Sequence, residues 1–492
     1  MDRAKSKRKK DAAQKVQVDG FQIIEKDGNK FSILFNKPPE PPTGPFITFK
    51  TGRRRVELHK IFRSFVSDDT IKRMIRRINP DNLYYRWRPR PKRVVLSFRK
   101  VLLMIALNIR TIGRQIVPKE NEKNGDLQIR TMRSLGRELG DGMFGKDVMK
   151  RLVPHLLFTC DIMKFVQQNF VQFVEALGEN VAGDEKLFYF TAHDHRTRQV
   201  PTKPDKIGLW FYELAGRLSN ERRFVLYIKL HNNISGTLTT DLIVSDWADI
   251  IMQVGRDRVQ EGENPNPNTV LACDGYYPTR ANVNMLRDSK IPFTASVRYD
   301  RFRGFVELLR GENHGKDNVK GESMAMYKPA TGEVFVYVFD TQLGQGGEAK
   351  YNYSSGFPVE QDQRVINQRR GEIPIYSYYK EMFSECDSFN RRLKDKTWPY
   401  HRGGKGLKGA LGRINDFYMG IILQNTFNAW LEVNDIDADG ISFRALCDIL
   451  SQSLYAEAIK LADTEFHDEN DIEVGEYDLP ADFDDDDDDD DN

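Results

Sequence analysis

The chain has 492 residues, which is enough for roughly two to four domains with a sizeable buried core. Charged residues make up 30% of it, and the longest apolar run, VLLMIAL at 101–107, is too short to cross a bilayer. Only four cysteines occur, and their wide spacing excludes a disulfide scaffold or a zinc module built on a CxxC motif. These features predict a protein of a reducing compartment with no membrane partner.

The net charge of +2 conceals a strong polarity along the chain. From Asp463 to the end there are 17 acidic residues and no Lys or Arg, whereas residues 50–100 hold 17 Lys and Arg against four acidic residues. A basic surface attracts polyanions and releases their counterions on binding. Charge therefore favours nucleic acid as a partner, and the alternative is a solvated surface in a charge-rich protein.

The first 50 residues are predicted to be disordered, because they open with a basic cluster and close with the Pro-rich linker NKPPEPPTGP. The basic cluster MDRAKSKRKK is of the nuclear-import type, so we expect a nuclear protein. The next stretch, to about Leu177, is mostly helical. Apolar residues recur there at three- and four-residue spacing, for example in RVVLSFRKVLLMIALNIR (93–110).

A Pro-containing segment, NPDNLYYRWRPRPKR (79–93), interrupts these helices and alternates aromatic with basic residues. Arginine forks onto phosphates and aromatic rings stack on bases, so the segment is a candidate DNA-binding loop. The alternative is a loop whose aromatic residues anchor it to the helical core. The candidate DNA-binding residues are Arg86, Arg88, Arg90, Lys92 and Arg93.

From about Leu187 the pattern becomes that of strands alternating with helices, which indicates an α/β layer structure. Strand-like runs such as KLFYFTA, RRFVLYIKLH and EVFVYVFD alternate with helical ones such as LIVSDWADIIMQVGRDRV (242–259). Helices return after about residue 376, and residues 462–492 form an acidic tail. We expect the tail to be disordered and to compete with DNA for the basic surface or to bind basic chromatin proteins.

Two aspartates, Asp274 and Asp387, each follow a cysteine directly, at the end of an apolar run or within a helix. Carboxylate oxygens are the ligands that hard divalent cations prefer, and two such cations can clamp a DNA phosphate during in-line displacement. The preceding Cys273 and Cys386 are interpreted as small packing residues. The motif His193-Asp194-His195 is either a small metal-ligand cluster or an exposed turn.

Several ordered segments resemble the piggyBac transposases and their domesticated derivatives. They are GENVAGDEK (178–186), PTKPDKIG (201–208), VLACDGYYPT (270–279), IPFTASVRYD (291–300) and MYKPATGEVFVYV (326–338). Asp387 also lies eight residues after Tyr379, and Trp398-Pro399 follows, as in that family. The resemblance covers about residues 140–435.

The resemblance implies an α/β RNase H-like catalytic core at 201–394 with a β-rich insertion at about 302–372. It also implies an all-α dimerisation and DNA-binding domain formed from 51–200 and 395–461. Asp274 and Asp387 would then be catalytic and would hold Mg²⁺ or Mn²⁺. Double-stranded DNA would be the partner of a homodimer, or of a pair with a homologous transposase, and Lys203 and Lys206 would contact the DNA.

The family's first catalytic Asp corresponds to Gly216 by ungapped counting from Pro201, and the nearest acidic residue upstream is Glu213. Side chains alternate along a strand, so Glu213 points away from the side of Gly216. The auxiliary acidic position is Asn390. The leading hypothesis is therefore a transposon-derived DNA-binding protein whose DNA cleavage is doubtful. The alternatives are an active Mg²⁺-dependent cut-and-paste transposase, with Glu213 as a candidate third ligand, and an unrelated basic scaffold protein.

Overall fold

The protein is represented by a computed structural model. The structure describes residues 22–23, 46–50, 55–78, 97–114, 160–189, 197–199, 207–219, 222–231, 240–298, 302, 323–328, 333–339, 349–355, 379, 406–437 and 441–461. Within these ranges, no helix combines the length and the apolar character that crossing a bilayer requires.

The helices are α1 (Leu58–Phe65), α2 (Asp68–Ile78), α3 (Phe98–Arg114), α4 (Cys160–Phe173), α5 (Thr240–Gln253), α6 (Arg280–Asp288), α7 (Gly406–Val433) and α8 (Phe443–Lys460). The strands are β1 (Gln22–Ile23), β2 (Thr48–Phe49), β3 (Val174–Ala176), β4 (Asn180–Tyr189), β5 (Thr197–Gln199), β6 (Ile207–Arg217), β7 (Arg223–Leu230), β8 (Val270–Cys273), β9 (Phe293–Val297), β10 (Ser323–Lys328), β11 (Glu333–Phe339) and β12 (Ala349–Ser355).

Ten of these strands form one mixed sheet, in the order β1-β10-β11-β12-β9-β8-β4-β6-β5, with β7 also paired to β6. β4, β6 and β7 form an antiparallel meander, whereas β8 runs parallel to both β4 and β9. Helices α5 and α6 make the crossovers that parallel strands need. The predicted α/β core is therefore confirmed, and β10–β12 continue its sheet beyond β9.

The two faces of the sheet are covered by different helices. On one face, here called the α7 face, Phe417 of α7 packs on Phe211 at 4.2 Å and on Phe188 at 4.8 Å between ring centroids. On the other, the α5 face, Trp247 of α5 lies over Gly183 of β4. Side chains alternate along each strand, so the register assigns every strand residue to one of these two faces.

Side-chain amides from the helices bind the backbone of the edge strand β7. Asn425 of α7 accepts a hydrogen bond from the Val225 amide at 3.0 Å and donates one to the Val225 carbonyl at 2.8 Å. Asn428 donates to the Arg223 carbonyl. An edge strand otherwise presents unpaired backbone groups to other chains, so these contacts both anchor α7 and cover part of the edge.

The helices before and after the sheet segments pack against each other. Ser451 of α8 donates a hydrogen bond to the Ala106 carbonyl of α3 at 2.8 Å, and a Cβ at Gly113 of α3 would lie 2.5 Å from Cys447 Cβ. α7 also packs against α1. Chain segments more than 300 positions apart thus share one apolar core.

Gly183→Ala is expected to destabilise the fold by about 1–3 kcal/mol, the usual cost of overpacking. A Cβ at this position would lie 2.4 Å from the Trp247 ring, so either the ring or the β4 backbone must move. Urea denaturation measures the loss. The cost should shrink in a Trp247→Leu background, because the obstructing ring is gone. An unchanged midpoint for the single variant would contradict the packing described here.

Candidate functional site

Asp274 lies directly after the four buried residues of β8, at the carboxyl end of that strand. Its side chain is half-buried. Its Oδ1 atom accepts a hydrogen bond from the Gly275 amide and another from the Ser296 hydroxyl at 2.9 Å. Ser296 belongs to β9, where Ala295 is the register partner of Cys273. The position after β8 is therefore fixed by the neighbouring strand.

Asp184 of β4 lies beside Asp274. β4 and β8 are parallel, and Gly183 is paired with Cys273. The residue after Gly183 is Asp184, still within β4, and the residue after Cys273 is Asp274, directly after β8. Both lie on the face opposite to Gly183, which is the α7 face. Neighbouring strands are about 4.8 Å apart, which brings the two carboxylates close together. Asp184 is only 6% exposed.

Glu213 of β6 is the direct partner of Asp184 across the antiparallel pair β4–β6, and it is fully buried. Opposed residues in such a pair have Cβ atoms about 4.5–5.5 Å apart on the same face. Glu213, Asp184 and Asp274 therefore form a line across three adjacent strands, here called the acidic row.

Gly216 faces away from the acidic row. It pairs with Val181 on the α5 face, and a Cβ at this position would lie 2.5 Å from Ile47 Cδ1. The expectation that Glu213 and Gly216 point to opposite sides agrees with this register. Of the two residues, Glu213 is the one that shares the face of Asp274. Ungapped counting therefore selects a residue on the opposite face of the sheet.

Cys273 points to the α5 face and is 2% exposed. Burial raises the pKa of its thiol, and the negative charges of Asp274 and Asp184 raise it further. The thiol therefore stays protonated near neutral pH, as expected of a packing residue and not of a nucleophile. Both aspartates therefore lie near this sulfur atom.

A second polar group lies on the α5 face. The Tyr277 hydroxyl donates a hydrogen bond to Glu185 Oε2 at 2.8 Å, and the Tyr212 hydroxyl lies 3.0 Å from His231 Nδ1. Burial, followed by the charges of Tyr276 and Glu185, raises the pKa of Tyr212 to about 12, and Arg198 opposes the rise. The two neighbours Asp184 and Glu185 are thus directed to opposite faces, and only Asp184 joins the acidic row.

Most of the predicted site residues lie outside the described residues: Asp387, Asn390, Arg86, Arg88, Arg90, Lys92, Arg93, Lys203 and Lys206. Their roles stay predictions. Tyr379, eight residues before Asp387, is described. Burial raises the pKa of its phenol, and the charge of Asp274 adds to the rise, so Tyr379 lies near the Asp274 end of the acidic row.

Asp184 is the residue that reasoning from the sequence missed. It lies in GENVAGDEK, a segment used only to support the resemblance. Asp184 is recognised as a neighbour of Asp274 only from the pairing of β4 with β8. The alternation of apolar and polar residues along a strand does not reveal which strands are paired. Within the described ranges, no group of three or more His, Cys, Asp and Glu side chains is arranged to hold a metal ion.

Comparison with solved structures shows a similarity of fold. No family model matches the chain, and no curated protein matches it. A cryo-EM structure of the piggyBac transposase synaptic complex with hairpin DNA matches with a TM-score of 0.61 and 15% sequence identity. The match covers 84% of this chain and 83% of that chain. The protein thus has a piggyBac-like fold.

Proposed function

We propose that the protein is a DNA-binding relative of the piggyBac transposases and that it acts in the nucleus. The similarity over 84% of the chain to a transposase solved with DNA supports this proposal. The basic stretch at 50–100 supports it independently, because such a charge distribution favours polyanions.

The core is proposed to be RNase H-like. Its central strands follow the order β7-β6-β4-β8-β9: an antiparallel meander, then two parallel strands reached through helices. The proposed helical domain combines α1–α4 with α7 and α8. The packing of α3 on α8 and of α1 on α7 supports it, because these contacts join segments from before and after the core.

DNA binding by the full-length protein is expected to fall steeply with salt. Six or more phosphate contacts give a log–log slope steeper than about −5, since each contact contributes about −0.9. Fluorescence anisotropy with a duplex between 50 and 200 mM salt measures the slope.

A variant with Arg86, Arg88 and Arg90 changed to Ala should flatten the slope by about 3 if this loop contacts phosphates. Lys460→Ala is the matched control, because it removes a charge from the exposed end of α8. A flat slope for the wild type would overturn the DNA-binding proposal. If the slope is unchanged in the triple variant, the DNA-binding proposal stands, but this loop does not contact phosphates.

One observation favours metal-dependent DNA cleavage as a second candidate function. Asp184 supplies the carboxylate neighbour of Asp274 that Gly216 cannot supply. Two carboxylates side by side on adjacent strands are a donor set that suits Mg²⁺ or Mn²⁺. Asp184 and Asp274 would hold such an ion, with Asp387 as the expected third ligand. When bound, the cation would neutralise charge on a phosphate oxygen and orient the attacking oxygen.

Residues of the sheet and of α7 surround the proposed cation site. The sheet fixes the backbones of Asp184 and Asp274 side by side, and Glu213 adds a third carboxyl group on β6. Phe417 packs on Phe188 and Phe211 next to the acidic row on the same face, which limits the access of water from that direction. Low local dielectric strengthens the attraction of the row for a cation.

A further inference from the structure

Described residues hold the Asp274 carboxylate through one oxygen. Within the described part of the chain, the Gly275 amide and the Ser296 hydroxyl both donate to Oδ1. Two donors on one carboxylate oxygen fix both χ angles of the side chain. Supporting residues of this kind orient metal ligands in many proteins.

Glycine at position 275 makes room for the serine. A Cβ at this position would lie 3.1 Å from Ser296 Oγ and 3.3 Å from the Ser296 carbonyl oxygen. Any larger residue would press on Ser296, while glycine lets the serine approach Asp274. Ser296 is held from its other side by β12, where Asn352 is its register partner.

Tyr379 contacts the same serine. Its side chain is 6% exposed, and its phenol is hydrogen-bonded to both the side chain and the backbone of Ser296. Burial raises the pKa of Tyr379, hydrogen bonds with Ser296 oppose the rise, and the charge of Asp274 adds to it. The phenol therefore keeps its proton. The Ser296 hydroxyl that donates to Asp274 therefore also lies against the Tyr379 phenol.

We propose that Ser296 and Tyr379 form a positioning chain, in which the Tyr379 phenol packs on Ser296 and the Ser296 hydroxyl donates to Asp274 Oδ1, and that this chain orients Asp274 for a divalent cation. The proposal rests on the second candidate function, in which Asp274 is a metal ligand. It goes further because it assigns roles to two residues outside the acidic row.

Mn²⁺ titration of the full-length protein, followed by the electron paramagnetic resonance of free Mn²⁺, tests the proposal. Ser296→Ala and Tyr379→Phe should each weaken Mn²⁺ binding roughly 10- to 100-fold, as is usual when a supporting residue of a metal ligand is lost. Ser296→Thr keeps the hydroxyl and should retain the affinity. The matched control is Ser354→Ala. Among the described residues, the Ser354 hydroxyl bonds to Thr294 and Asn352 on the same strand pair, β9 and β12.

The outcomes distinguish the proposed metal site from the proposed positioning role of Ser296 and Tyr379. If wild-type protein and Ser354→Ala bind Mn²⁺ while Ser296→Ala does not, and thermal unfolding midpoints are alike, the positioning role is supported. If Ser296→Ala and Tyr379→Phe bind as tightly as Ser354→Ala, the positioning chain is wrong while the metal site stands. If the wild type binds no Mn²⁺, the metal site is wrong and the positioning chain falls with it.

Discussion

Asp184→Asn is expected to reduce metal-dependent DNA nicking by about 10³-fold or more, as Asp274→Asn should. Each substitution replaces one of two carboxylates on adjacent strands by an amide of the same shape. Loss of charge weakens both the binding of the cation and its placement beside the phosphate. Nicking of a supercoiled plasmid in Mn²⁺ measures the effect, and anisotropy at low salt checks that DNA binding is retained.

Glu185→Gln serves as the matched control for Asp184→Asn. It changes the next residue of the same strand, yet Glu185 lies on the α5 face bonded to Tyr277. Nicking that survives Asp184→Asn but not Asp274→Asn would contradict the assignment of Asp184. No nicking by the wild type, with DNA binding intact, would reject the enzymatic candidate and leave a protein that binds DNA without cutting it.

Asn425→Ala is expected to lower the free energy of unfolding by about 2–5 kcal/mol. The amide bonds both the N–H and the carbonyl of Val225, and Asn425 is fully buried. Removing it leaves two buried backbone groups without this partner, at about 1–3 kcal/mol each. Urea denaturation followed by circular dichroism gives the value.

Ser453→Ala is a suitable control for Asn425→Ala. The Ser453 hydroxyl bonds only within α8, to the Ile449 carbonyl, at an exposed position. Its removal should change stability by less than about 0.5 kcal/mol. An Asn425→Ala variant as stable as this control would show that α7 does not depend on its attachment to β7.

Helices with a clear period were predictable from the sequence. The run at 93–110 predicted a helix that the structure places at Phe98–Arg114, and the run at 242–259 predicted α5. Their boundaries moved by a few residues, since a helix end depends on caps and on neighbours that periodicity does not show.

The strand that carries Asp184 was harder to predict. Strand texture was expected from about Leu187, but β4 begins at Asn180. The residues Gly183, Asp184 and Glu185 have low strand propensity, and the flanking strands β6 and β8 impose the extended conformation on them. Alternation places side chains on one face or the other, but only the register shows which strands are neighbours.

The pairing of β4 with β8 also has a consequence for synthesis on the ribosome. Val270 follows its partner Asn180 by 90 positions, whereas β6 and β7 come within a few tens of residues of β4. At a translation rate of about 5–20 residues per second, roughly 5–20 s pass between the synthesis of β4 and that of β8. One edge of β4 lacks its partner strand during this time. During this interval the nascent chain presents an unpaired strand edge, which is a template for pairing with other chains.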